Sequence, residues 1–158
     1  MPDFALVDQQ GNNFSFASQL KGKVWVADFI FTTCNGPCPR MSAQLHKLQG
    51  MLKGAERVRL VSITIDPKND NVEALAAYSK RWKADPKLWR FLTGEPKQIR
   101  ALSWDAFHLA DVGGALEHST KFALVDRKLK IRGFYDSLDA QGLNDLAADI
   151  EKLQKEIF

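Results

Sequence analysis

Apolar residues along the 158-residue chain fall into runs whose spacing alternates between strand-like and helix-like periods. Two short runs, residues 4–7 and 13–16, flank Gln9-Gln10-Gly11-Asn12, the turn chemistry of a hairpin expected to cap one end of the domain. Residues 24–31 are almost continuously apolar, broken only by Asp28, which predicts a central strand covered on both faces. From Pro39 onward Met41, Leu45, Leu48 and Leu52 recur at helical intervals, and Cys38 extends that stripe one step backwards, so Cys38 should face the sheet. Residues 57–65 form a second central strand ending at Asp66-Pro67, and residues 72–83 place Val72, Leu75, Tyr78 and Trp82 on one helical face. A third strand over 88–92 leads to Thr93-Gly94-Glu95-Pro96, a turn that opens a short helix through Ile99 and Leu102. Residues 107–117, with Gly113-Gly114 at their centre, read as a loop or small hairpin. Residues 121–125 and 131–135 lie close enough to pair antiparallel, and Leu143, Leu146, Ala147, Ile150, Leu153 and Ile157 define a closing helix. The predicted fold class is α/β: a mixed central sheet flanked by helices, with an N-terminal β-hairpin.

Composition narrows the function classes. With 45% apolar content the chain suits a single domain over residues 1–158 with a sizeable core. The net charge of +3 is mild and its basic residues are scattered along the sequence, so nucleic acid is not an expected partner. Two cysteines are too few for a disulfide scaffold. No run of about 18 apolar residues exists to cross a membrane, and Met1-Pro2-Asp3 lacks the pattern of a signal peptide.

Candidate chemistry converges where the first central strand ends. Cys34 and Cys38 lie four positions apart across a helix start, where unpaired backbone N–H groups and the helix dipole favour thiolate over thiol. Cys34, on the loop, should be the more exposed; the alternative is an inert disulfide or two small buried residues. Asp28, inside a buried strand, must be hydrogen-bonded, neutralised or functional. Of the histidines, His46 falls off the apolar stripe and reads as a solvated residue, and His108 as structural. His118 enters the strand over 121–125; if that strand neighbours the one over 24–31, His118 is delivered beside Cys34 and Cys38, and otherwise it is a surface loop residue. Two thiolates and an imidazole form a soft, three-ligand set suited to copper(I), and to copper(II) with a further weak ligand. Met41 could supply one, but its place on the apolar stripe assigns it to the core. Asp66-Pro67 reads as turn chemistry and Asp70 as a cap for the following helix.

The segments Phe31-Thr32-Thr33-Cys34-Asn35-Gly36-Pro37-Cys38-Pro39, Ser62-Ile63-Thr64-Ile65-Asp66-Pro67 with Asp70, and His118-Ser119 together resemble the Sco (SenC) family. The resemblance implies a thioredoxin-like fold in which Cys34, Cys38 and His118 bind copper, Cu(I) or Cu(II). It implies a metallochaperone that assists assembly of the copper A site in cytochrome c oxidase subunit II, by delivering copper or by reducing the recipient cysteines. It further implies a periplasmic or otherwise extracytoplasmic, membrane-anchored protein whose anchor is absent from this chain, and a monomer is expected. Glu117 stands where the family usually has Asp. Asp28, six residues before Cys34, occupies the position where thioredoxins carry a buried, proton-relaying aspartate. An alternative is therefore a thiol-disulfide oxidoreductase or thiol peroxidase in which Cys34 attacks and Cys38 resolves. Against it stand the CxxxC spacing and the lack of a proline at Glu117-His118-Ser119-Thr120. His118 separates the two: it is essential to a three-ligand metal site and irrelevant to dithiol exchange.

Overall fold

The structure, a computed structural model, describes residues 3–33, 38–107 and 121–156. The predicted hairpin forms as β1 (Ala5–Asp8) and β2 (Asn13–Ser15). Its turn is closed by Asp8 Oδ1, which accepts the backbone N–H groups of Gln10 and Asn12 at 2.9 and 3.0 Å, and by Gly11 at φ +81°, a conformation suited to glycine. Phe16 leaves the strand and opens a single helical turn, α1 (Phe16–Gln19), capped by Ser15. The chain continues through β3 (Val24–Ile30), α2 (Cys38–Met51), β4 (Val58–Thr64), α3 (Val72–Arg81), β5 (Trp89–Thr93), α4 (Pro96–Arg100), a π-helical segment (Ala101–Ala106), β6 (Lys121–Val125), β7 (Ile131–Asp136) and α5 (Ala140–Gln154). The loop or hairpin expected over 107–117 lies, from His108 on, outside the described residues, as does Ile157.

The seven strands among the described residues join one sheet in the order β2-β1-β5-β4-β3-β6-β7. The hairpin therefore extends one edge of the sheet, through antiparallel pairing of β1 with β5, where the sequence suggested a cap at one end. β3 is central, parallel to β4 and antiparallel to β6, and every one of its residues is buried, as its apolar run requires.

Strand alternation sorts the core into two layers. Val24, Val26 and Ile30 pack with Cys38, Met41, Leu45 and Leu48 of α2 and with Leu143, Leu146 and Ile150 of α5. Trp25, Ala27 and Phe29 face the other way, toward Phe16, Leu102 and Phe107. There Trp25 meets Phe16 edge-on at 5.4 Å between ring centroids, and Phe29 meets Phe107 at 5.3 Å. Fully burying each such aromatic contributes roughly 1.5–3 kcal/mol of transfer free energy, so both layers hold β3 firmly. The chain thus leaves β3 from a central strand that is buried on both faces.

Candidate metal and thiol site

Cys38 is the first residue of α2 and is fully buried in the layer between that helix and the sheet, the orientation that the stripe Cys38-Met41-Leu45-Leu48 predicts. The helix begins at Cys38, one residue ahead of Pro39, so proline occupies the first turn, where its missing N–H leaves no helical bond unmade. Cys38 therefore sits at the positive end of the α2 dipole, below the carboxyl ends of the parallel strands β3 and β4. Cys34 and His118 both lie outside the described residues. β6, the strand that His118 precedes, does pair with β3, through Trp25–Val125, Val26–Leu124 and Ala27–Ala123. Because that pairing is antiparallel, the beginning of β6 and the end of β3 lie toward the same end of the sheet. Among the described residues no group of three His, Cys, Asp or Glu side chains converges to hold a metal, and Met41 is fully buried core.

Under Cys38 the same layer holds a buried polar chain. Asp28 takes the inward position between Val26 and Ile30, with none of its surface exposed. Its Oδ1 accepts the Ser62 hydroxyl at 2.5 Å, and Ser62 Oγ accepts the Trp89 indole N–H at 3.0 Å. Its Oδ2 has no hydrogen-bond partner among the described residues. Burial pushes the Asp28 carboxyl up to about 7, with the Ser62 hydrogen bond acting in the opposite direction. Close by, Ser42 of α2 and Tyr78 of α3 share a hydrogen bond of 3.0 Å. Burial drives the Tyr78 phenol up to about 12; the Ser42 bond opposes this, while the charges of Asp28 and Cys38 add to it. Tyr78 thus lies within electrostatic reach of both Asp28 and Cys38.

In the sequence Ser62 stands out only as part of a family motif and Trp89 only as part of a strand; their link to Asp28 goes unread there, although Ser62 carries a signal. It interrupts the inward positions Leu60 and Thr64 of a central strand, where a hydroxyl needs a partner. Asp70 is a correction. The cap of α3 is Asn71, whose side chain accepts from Ala74 N. Asp70 is buried and accepts hydrogen bonds from Thr32 and Thr64 instead. The Asp66-Pro67 turn forms as expected, with the Asp66 carbonyl accepting from both Asn69 N and Asp70 N.

His46 is exposed, as predicted, with Nδ1 2.9 Å from the Trp82 carbonyl; His108 lies outside the described residues. His46 borders a groove of about 590 Å³ lined by Lys53, Arg59, Asp85 and Lys87. That groove is at the far end of α2 from Cys38, so it is no part of the thiol site.

The SCO1/SenC family model matches residues 1–155. A SCO1/SenC family lipoprotein from Bacillus anthracis superposes with a TM-score of 0.88 at 34% identity, covering 98% of this chain and 95% of its own. BsSco, a member of the Sco family of cytochrome c oxidase assembly proteins with an identified disulfide switch, gives 0.84 at 30% identity over 99% and 94% of the two chains. ScoI from Bradyrhizobium japonicum, solved with copper bound, gives 0.77 at 25% identity over 96% and 98%. The thioredoxin-like fold expected from the resemblance is therefore the fold found, and the chain belongs to the SCO1/SenC family.

Proposed function

We propose that this chain is a copper-binding metallochaperone that assists copper A assembly in cytochrome c oxidase subunit II. Cys34, Cys38 and His118 are its ligands, and the whole chain works as one monomeric domain. The observation that carries the reading is the juxtaposition of elements. Cys38 opens α2 beneath the end of β3, and β6, which follows His118, pairs directly with β3. The chemistry agrees with it, since thiolates and an imidazole suit copper(I), and a three-ligand set leaves a face through which metal passes to a recipient. The relatives support it further: ScoI is solved with copper bound, and BsSco belongs to a family of oxidase assembly proteins. One neighbour is a lipoprotein, in keeping with an extracytoplasmic, membrane-anchored protein, and no described helix is long and apolar enough to cross a membrane.

The test is an anaerobic copper(I) titration of reduced protein against a competing chelator, for the parent and for His118→Ala. Tight one-to-one binding that collapses in the variant supports the three-ligand site. Weak binding indifferent to His118→Ala contradicts it.

A second reading, thiol-disulfide exchange at Cys34 and Cys38, is favoured by one observation. Asp28 is a fully buried carboxyl with one oxygen that has no hydrogen-bond partner among the described residues, in the layer that holds Cys38. In that reading Asp28→Asn slows exchange while His118→Ala leaves it unchanged, as kinetics with a small disulfide would report.

A further inference from the structure

Asp70 has no exposed surface, yet three donors converge on its carboxylate. Oδ2 accepts the backbone N–H of Thr32 at 3.0 Å and the Thr64 hydroxyl at 2.6 Å, and Oδ1 accepts the Thr32 hydroxyl. Thr64 Oγ1 in turn accepts from Asp66 N at 3.0 Å. Holding the 66–70 turn does not require this arrangement. The turn already has the Asn69 N and Asp70 N bonds to the Asp66 carbonyl and the Asn69 side-chain bond to Asp66 Oδ2 at 2.8 Å. Two of the three bonds to Asp70 go to Thr32, which is 38 residues away in sequence, lies beyond the end of β3 and stands two positions before Cys34. A buried carboxyl group left without hydrogen bonds is costly, and three donors meet this one, so Thr32 is held in place.

We infer that Asp70 is a positioning residue for the cysteine loop: by binding Thr32 through both backbone and side chain, it fixes the end of the loop that carries Cys34. On the other side, Cys38 is fixed by its burial at the start of α2. Holding Thr32 and Cys38 in place keeps the thiols of Cys34 and Cys38 at high effective concentration relative to each other. Release of one anchor lowers that concentration, which disfavours the disulfide and weakens any ligand that needs both sulfurs. The inference rests on the reading that Cys34 and Cys38 work as a pair.

The test equilibrates the parent, Thr32→Val, Thr32→Ser and Asp70→Asn with reduced and oxidised glutathione and counts trapped thiols. Each protein dithiol gives two electrons and two protons to one glutathione disulfide, yielding the protein disulfide and two glutathione thiols. Thr32→Val and Asp70→Asn are expected to shift the equilibrium toward dithiol by roughly tenfold, about 30 mV. Thr32→Ser, which keeps the hydroxyl, should stay within about twofold of the parent. Copper(I) affinity should follow the same order, by roughly tenfold or more, as for other residues that orient metal ligands. Folded Thr32→Val and Asp70→Asn proteins that lose stability but keep the parental glutathione equilibrium would make Asp70 merely structural and overturn the proposal. Should Asp70→Asn fail to fold, Thr32→Val decides the matter, since it leaves the backbone bond to Asp70 in place. A parent that binds no copper while its variants still shift the glutathione equilibrium removes the copper reading and leaves the anchor standing.

Discussion

Asp28 accepts the Ser62 hydroxyl at one oxygen and has no partner for the other among the described residues, whereas Asp70 accepts three hydrogen bonds. The first environment favours a protonated carboxyl, and the consequence for stability has a definite sign. Burial raises the Asp28 carboxyl from 3.8 to about 7, so between those values the folded state holds a proton that the unfolded state has lost. Its contribution is fully favourable below about pH 4 and is lost as pH rises to about 7, by up to about 4 kcal/mol for a shift of this size. Chemical denaturation of the parent and Asp28→Asn across that window should show the parent losing stability relative to the variant; parallel profiles would contradict the assignment. Asp28 was legible in the sequence because a charge inside an apolar run has to be explained. The true partner of Asp70 was not, because Thr32 is brought to it only by the parallel pairing of β3 and β4.

At the scale of elements, α2 is defined by its buried stripe, which the 3.6-residue period made readable from Met41 to Leu48 and which rightly included Cys38. Met41→Ala should destabilise the protein by about 2–5 kcal/mol, measured by denaturant unfolding, since Met41 is fully buried between α2 and the sheet. A smaller loss would mean that the layer under Cys38 collapses readily around a cavity. The start of α5 carries a constraint that spacing does not reveal. A Cβ on Gly142 would lie 2.3 Å from the Asp136 carbonyl oxygen at the end of β7. Gly→Ala inside a helix ordinarily gains about 0.5–1 kcal/mol. Gly142→Ala should instead lower the melting temperature, and a rise would show that α5 can move away from β7. The hairpin's position was equally hidden, because turn chemistry fixes the connection between β1 and β2 and says nothing of which strand they join.

Across the whole molecule, the alternation of strands and helices was enough to anticipate a mixed sheet, and the family motifs named its topology. What local pattern could not supply was the sharing of one buried layer by residues as distant as Asp28, Ser62, Tyr78 and Trp89. The proposed copper site depends on the same long-range assembly, through β6 against β3. If two thiolates and an imidazole hold the metal, protons compete for all three, and copper(I) affinity should fall as pH drops from about 8 to about 5. Oxidation of Cys34 and Cys38 to a disulfide should abolish binding, so that redox state governs loading and release. The most direct measurement is X-ray absorption at the copper edge of the reduced, copper(I)-loaded protein. Two sulfur scatterers and one imidazole, with the imidazole signal lost in His118→Ala, is the result this account predicts. A copper shell that is unchanged in His118→Ala, or that contains fewer than two sulfurs, would contradict it.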